Sequence, residues 1–102
     1  MSTISIDFYK AMRQADKLDD QAENLRNMAR GKYNQSMQLL ASNWQSESAN
    51  EFYRKTDRLR REIESTARDL EIIAGNLRRA AKRIYEAEKR AQEIARIRAS
   101  RQ

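Results

Sequence analysis

From Ala49 to Ile94 the chain repeats one spacing, alternately three and four residues, and every step lands on an apolar residue or Thr. The series runs Ala49, Phe52, Thr56, Leu59, Ile63, Thr66, Leu70, Ile73, Leu77, Ala80, Ile84, Ala87, Ala91 and Ile94. Such a stripe, with charges between its steps and no Pro in the chain, constrains the fold severely. A strand would need alternation by two, whereas this spacing keeps one face of an α-helix apolar over some six heptads. The pattern predicts one amphipathic helix over about 48–98, a rod on the order of 70 Å long at about 1.5 Å per residue.

The first half carries a related stripe: Phe8, Ala11, Ala15, Leu18, Ala22, Leu25, Ala29, then Tyr33, Ser36 and Leu40. Leu18, Ala29 and Leu40 lie eleven apart, a period that favours a nearly straight helix over a strict heptad. Its small residues allow close approach of a second helix. Gly31 interrupts the stripe and costs about 1 kcal/mol relative to Ala inside a helix. It reads as a tolerated Gly with a slight bend, or alternatively as a helix end with Gly as its cap.

Between the stripes lies Ser42-Asn43-Trp44-Gln45-Ser46-Glu47-Ser48, where the apolar pattern lapses and capping residues cluster. Ser48 with Glu51 fits a capping box, and Ser46 is the alternative cap. So short a connection forces the two helices antiparallel. The expected fold is therefore all-α: a single domain over 1–102 built as a coiled-coil-like antiparallel two-helix hairpin. Helix one covers about 7–42, the turn about 43–47 and helix two about 48–98.

The predicted helices differ in length, so helix two should overhang, leaving Ile84, Ala87, Ala91 and Ile94 without a partner in the same chain. Met12, Met28, Met37, Leu39, Tyr53, Ile72, Tyr85 and Ile97 add apolar groups off the main seams. Two helices enclose little interior, so this surplus predicts pairing with another hairpin into a four-helix bundle. The expected interface residues are Phe52, Leu59, Ile63, Leu70, Ile73 and Leu77 on helix two, with Leu18, Leu25 and Leu40 on helix one.

Composition narrows the chemistry. The chain has no Cys and no His, so thiolate nucleophiles, imidazole bases and Cys/His metal sites are absent. Its two Gly residues are isolated and form no phosphate-cradling turn. Neither an enzyme nor a cofactor site is expected. Residues Met1 to Phe8 lack the basic-then-apolar order of a signal peptide, and no run approaches the roughly 20 apolar residues of a membrane span.

Charge supplies a rival reading. From Arg54 onward there are 15 basic and 8 acidic residues, a balance of +7 against −1 for the remainder. Part of this is neutralised if Asp57–Arg61, Glu64–Arg68 and Glu86–Arg90 pair along the helix. The excess concentrates in Arg78, Arg79, Lys82 and Arg83, which reads as a solvated helix face or as a surface for an anionic partner. A basic coiled coil that binds nucleic acid is thus one alternative function, disfavoured because base-reading and stacking groups are lacking. A cytoplasmic structural adaptor is another.

The turn and its surroundings resemble the WXG family, the early-secreted-antigen-like helical hairpins exported by type VII secretion systems. Trp44-Gln45-Ser46 stands where the family has Trp-X-Gly, followed by Ser48-Ala49 and by Phe52 eight residues after the Trp. The departure is Ser46 in place of Gly. The resemblance covers nearly the whole chain and implies a non-enzymatic protein that is made in the cytoplasm without a signal peptide and then secreted, or that acts as a targeting partner. It also implies an export signal near the end of helix two, an apolar or aromatic residue followed at the fourth place by an acid. Ile84 and Glu88 fit, whereas Tyr85 stands one residue out of register. In the family, the turn of one hairpin lies near the C-terminal signal of its antiparallel partner, so Trp44, Ser46, Ile84, Glu88 and neighbouring Tyr85 are the implied signal residues. The implied partners are a secretion ATPase and another small hairpin, identical or different, or the helical N-terminus of a larger secreted toxin.

Overall fold

The computed structural model describes residues 3–101, so Met1 and Ser2 of the N-terminal segment lie outside the described residues. Three α-helices form two antiparallel arms, and no strand occurs among the described residues. The first arm is α1 (Thr3–Asn27), a short π-helical stretch (Met28–Lys32) and α2 (Tyr33–Asn43). The second is α3 (Glu47–Ser100), 54 residues without a break. The molecule measures 85 × 19 × 11 Å.

The turn is tighter than the sequence suggests. Trp44 leaves the helical region at φ −135°, ψ 106°, and its N–H still donates to the Leu40 carbonyl. Ser42 and Asn43 side chains donate to the Leu39 carbonyl, satisfying the end of the first arm. Ser46 caps α3: its hydroxyl accepts from the Ala49 N–H at 3.1 Å. The capping box expected at Ser48 does not start the helix, because Glu47 and Ser48 already lie within α3. Ser46 has φ −164°, extended backbone open to any residue, so its place in the turn needs no glycine.

Gly31 does not end its helix. It sits inside the π-helical stretch with helical backbone, and a Cβ added there would meet nothing within 4 Å. One wider turn absorbs the mismatch between the three-four stripe before Ala29 and the looser spacing after it.

The core is a ladder of alanines. Ala15, Ala22 and Ala29 on the first arm and Ala49, Ala67, Ala74 and Ala81 on α3 are the fully packed apolar residues. Ion pairs across the hairpin fix the register: Arg78 reaches Asp16 and Asp19 at 2.7 and 2.6 Å, Arg26 pairs with Glu71, and Arg30 meets Glu64 at 2.6 Å. That register sets Ala15, Ala22 and Ala29 level with Ala81, Ala74 and Ala67. Alanines facing alanines let two helices approach closely, with side chains of the flanking positions closing over the gap.

This ladder corrects the expected seam. With Ala49, Thr56, Ile63, Leu70, Leu77 and Ile84 at heptad position a, the sequence stripe is a and d. The hairpin instead closes on a and e, through Tyr53, Arg60, Ala67, Ala74 and Ala81. The d residues turn outward: Phe52, Leu59 and Ile73 are 39%, 49% and 52% exposed. The physical reason is size. Helix one comes nearest where side chains are smallest, so α3 rotates its alanines toward it and its larger d residues away.

The overhang also begins later than expected. α1 starts at Thr3, a turn before the predicted start, and so covers more of α3. Ile84 borders a shallow cleft with Ile4, Phe8 and Ala11, and the Tyr85 ring lies 4.7 Å from that of Phe8. From Glu86 to Arg101 every residue is exposed, including Ala87, Ala91 and Ile94.

Candidate functional site

The two flanks of the hairpin differ in chemistry. On one flank, position b of α3 brings Glu64, Glu71 and Arg78 against the charged edge of the first arm, where ion pairs zip it shut, and Tyr85 against Phe8. The guanidinium of Arg26 hydrogen-bonded to Glu71, and that of Arg30 to Glu64, hold both carboxyls below their ordinary range. On the other flank, α1 presents Ile4, Ala11, Leu18 and Leu25, and α3 presents its a and d residues. There Leu18, Leu25, Ile63, Leu70 and Leu77 are half-buried, and beside them Phe52, Leu59, Ile73 and Ile84 are exposed. The result is an apolar face running along the rod. Leu40, on α2, is also half-buried.

At the turn end an aromatic cluster forms. Trp44 lies 5.8 Å from Phe52 and 6.2 Å from Tyr53, ring to ring, and the Tyr53 hydroxyl donates to the Trp44 carbonyl at 2.7 Å. The indole remains 40% exposed, so it braces the turn while presenting a surface. Beside it α2 and α3 splay apart. A cleft of about 290 Å³ lies between them, lined by Tyr33, Met37, Ala41, Tyr53 and Thr56 with a polar rim. The Tyr33 hydroxyl bridges it by donating to the Thr56 carbonyl at 2.7 Å. Neither tyrosine contact was foreseeable from periodicity: Tyr33 stands on the expected stripe, but Tyr53 stands at position e, off it.

At the opposite end Ile84, Tyr85 and Glu88 come together with Ile4, Asp7 and Phe8. Tyr85 packs on Phe8, and the Lys89 ammonium sits 5.4 Å from its ring centroid. Ser5 and Lys89 beside the phenol lower its pKa from the ordinary value. Trp44 and Ser46 are far from this group: the intervening stretch of α3 spans on the order of 55 Å at about 1.5 Å per residue.

The basic run divides. Arg78 is engaged across the hairpin by Asp16 and Asp19, and Arg79 donates to Asn76. Lys82 and Arg83 are exposed on α3. Of the expected local pairs, Asp57–Arg61 forms, whereas Glu64 is taken by Arg60 and Arg30. Among the described residues no group of His, Cys, Asp or Glu could hold a metal ion, and no helix is long and apolar enough to cross a membrane.

A bare hairpin with one zipped flank, one apolar flank and an aromatic turn offers surfaces for binding helices. No curated protein and no solved structure matches the chain significantly. The family model described as proteins of 100 residues with WXG matches residues 3–89, which takes in α1, the Trp44 turn and α3 as far as the Ile84–Glu88 group. The chain therefore belongs to the WXG100 family of small helical proteins associated with type VII secretion.

Proposed function

We propose that this protein is exported by a type VII secretion system, or escorts a partner to it, and that it does so without catalysis. The observation that carries this reading is the family match over residues 3–89, with Trp44 in the turn between the arms. On this reading the chain is synthesised in the cytoplasm and leaves it folded, as one helical domain paired with a second hairpin through the apolar flank.

Trp44 and Ser46 form one half of the recognised surface, and Ile84 and Glu88, with Tyr85 beside them, form the other. The length of α3 separates these halves within one chain, so an antiparallel partner must bring the turn of one hairpin toward the C-terminal region of the other. Ser46 serves the turn as a cap, which supports its standing where the family has Gly. The arrangement of Arg78 weakens the nucleic-acid alternative, because a guanidinium held by two carboxylates offers little to a phosphate.

The test is export in the native host. The wild-type chain is expected in the medium when the secretion ATPase is intact and in the cells when it is deleted. Trp44→Ala and Glu88→Ala should each reduce export while leaving helical content by circular dichroism nearly unchanged. Equal secretion with and without the ATPase would contradict the reading.

A further inference from the structure

The alanine ladder stops one rung short of the N-terminus. Continuing the register that sets Ala15 level with Ala81, the next rung sets Phe8 level with Glu88. A phenylalanine does not fit a spacing fixed by facing alanines, and its ring packs on Tyr85 instead, 4.7 Å between centroids. The arms part there. They leave a cleft of about 160 Å³ with an apolar floor of Ile4, Phe8, Ala11 and Ile84, bordered by the carboxylates of Asp7 and Glu88.

Those two acids are unlike the others along the seam. Asp16 and Asp19 are matched by Arg78, Glu71 by Arg26 and Glu64 by Arg30. Asp7 and Glu88 form no ion pair among the described residues. Lys89, next to Glu88, lies over the Tyr85 ring. Glu88 also stands at position e, the line that carries Ala67, Ala74 and Ala81 into the core. A hairpin closed for its own sake would continue that line with a small residue; this one ends it with an exposed, unmatched carboxylate.

An apolar floor with carboxylates at the border fits a side chain that has an apolar stem and a cationic head. Arginine fits better than lysine. Its planar guanidinium stacks on aromatic rings such as Phe8 and Tyr85 and donates to two carboxylates at once, as Arg78 does to Asp16 and Asp19. We propose that this cleft receives an arginine side chain of the secretion machinery, so that the recognised end of the protein is built by both arms. Asp7 and Glu88 hold the guanidinium, Ile4 and Ile84 cover its stem, and Phe8 is a positioning residue that keeps the arms apart. This rests on the export reading and deepens it, because the end of α3 without α1 presents only half of the slot.

Binding and export measured in parallel test it. Asp7→Asn should weaken binding of the purified chain to the soluble part of the secretion ATPase at least about tenfold, the loss expected for a hydrogen bond to a charged group, and should reduce export. Asp7→Lys should abolish both, and Asp7→Glu should restore most of the wild-type level. Asp20→Asn, the same charge change at an exposed α1 position outside the cleft, should alter neither. Phe8→Ala should weaken binding and Phe8→Tyr should retain it, with helical content by circular dichroism unchanged throughout. Blocking the arginines of the ATPase with phenylglyoxal should bring wild-type binding down to the Asp7→Asn level, whereas acetylating its lysines should not. Asp7→Asn binding no worse than Asp20→Asn, or binding that survives phenylglyoxal, would overturn the proposal while leaving ATPase-dependent export standing. Wild-type export without the ATPase would instead remove the export reading, and the cleft's occupant with it.

Discussion

The two halves of the hairpin pack by different rules. Between α1 and α3, alanines face alanines and arginine–carboxylate pairs close one flank, so the helices lie close along several turns. Between α2 and α3, no residue of α2 is fully buried, a cleft opens, and contact is carried by Tyr33, Tyr53 and the Trp44 cluster. The π-helical stretch with Gly31 separates the two regimes. Small residues make an interface whose geometry is fixed by backbone approach. Large ones make an interface that tolerates change.

That contrast can be broken most forcefully by exchanging sizes. Ala74→Leu in the ladder forces the helices apart and should destabilise the fold by about 1–3 kcal/mol, the usual cost of overpacking. Ala41→Leu, beside the open cleft, should cost far less or stabilise slightly by filling space. Urea unfolding followed by circular dichroism measures both. Equal losses at the two positions would mean that the ladder is no more tightly packed than the cleft.

A smaller effect is expected from acid. Glu64 and Glu71 have carboxyl pKa values lowered in the folded chain by their arginines. Their stabilisation is therefore present at neutral pH and is lost as the pH falls through the depressed carboxylate values. The melting temperature should decline on acidification, and Glu71→Gln should have a flatter pH profile than wild type. Glu71 pairs with Arg26 of α1 and Glu64 with Arg30 of the π-helical stretch, so amide exchange should rise first along those two segments. A profile unchanged by Glu71→Gln would remove that pair from the account.

Much of the fold could be read from the sequence because period and punctuation suffice for it. The stripe from Ala49 to Ile94 and the lapse around Trp44 make two antiparallel helices almost unavoidable. The rotation of α3 was harder to see. Periodicity weighs Leu and Ile above Ala, whereas helix approach is decided by the small residues, and Ala67, Ala74 and Ala81 stand one position after the stripe's d steps Thr66, Ile73 and Ala80. The cap at Ser46 and the later start of the overhang were ambiguous by a turn or less, within the usual latitude of helix ends. Of the implied signal residues, Ile84, Tyr85 and Glu88 share one end of the rod, and Trp44 and Ser46 share the other. Contacts such as Tyr33 to the Thr56 carbonyl depend on the π-helical offset, which no local pattern announces.

On the proposed reading, the d face of α3, turned outward by the alanine ladder, is the face that meets the second hairpin. Adjacent residues test it, since Thr66 lies at d and Ser65 points away, both exposed in the single hairpin. The chain has no native cysteine, so Thr66→Cys and Ser65→Cys report cleanly through thiol labelling rates. As the hairpin pairs, with itself at rising protein concentration or with an added partner hairpin, labelling at residue 66 should slow while labelling at residue 65 stays constant. Equal rates at both positions across the whole concentration range would contradict the account.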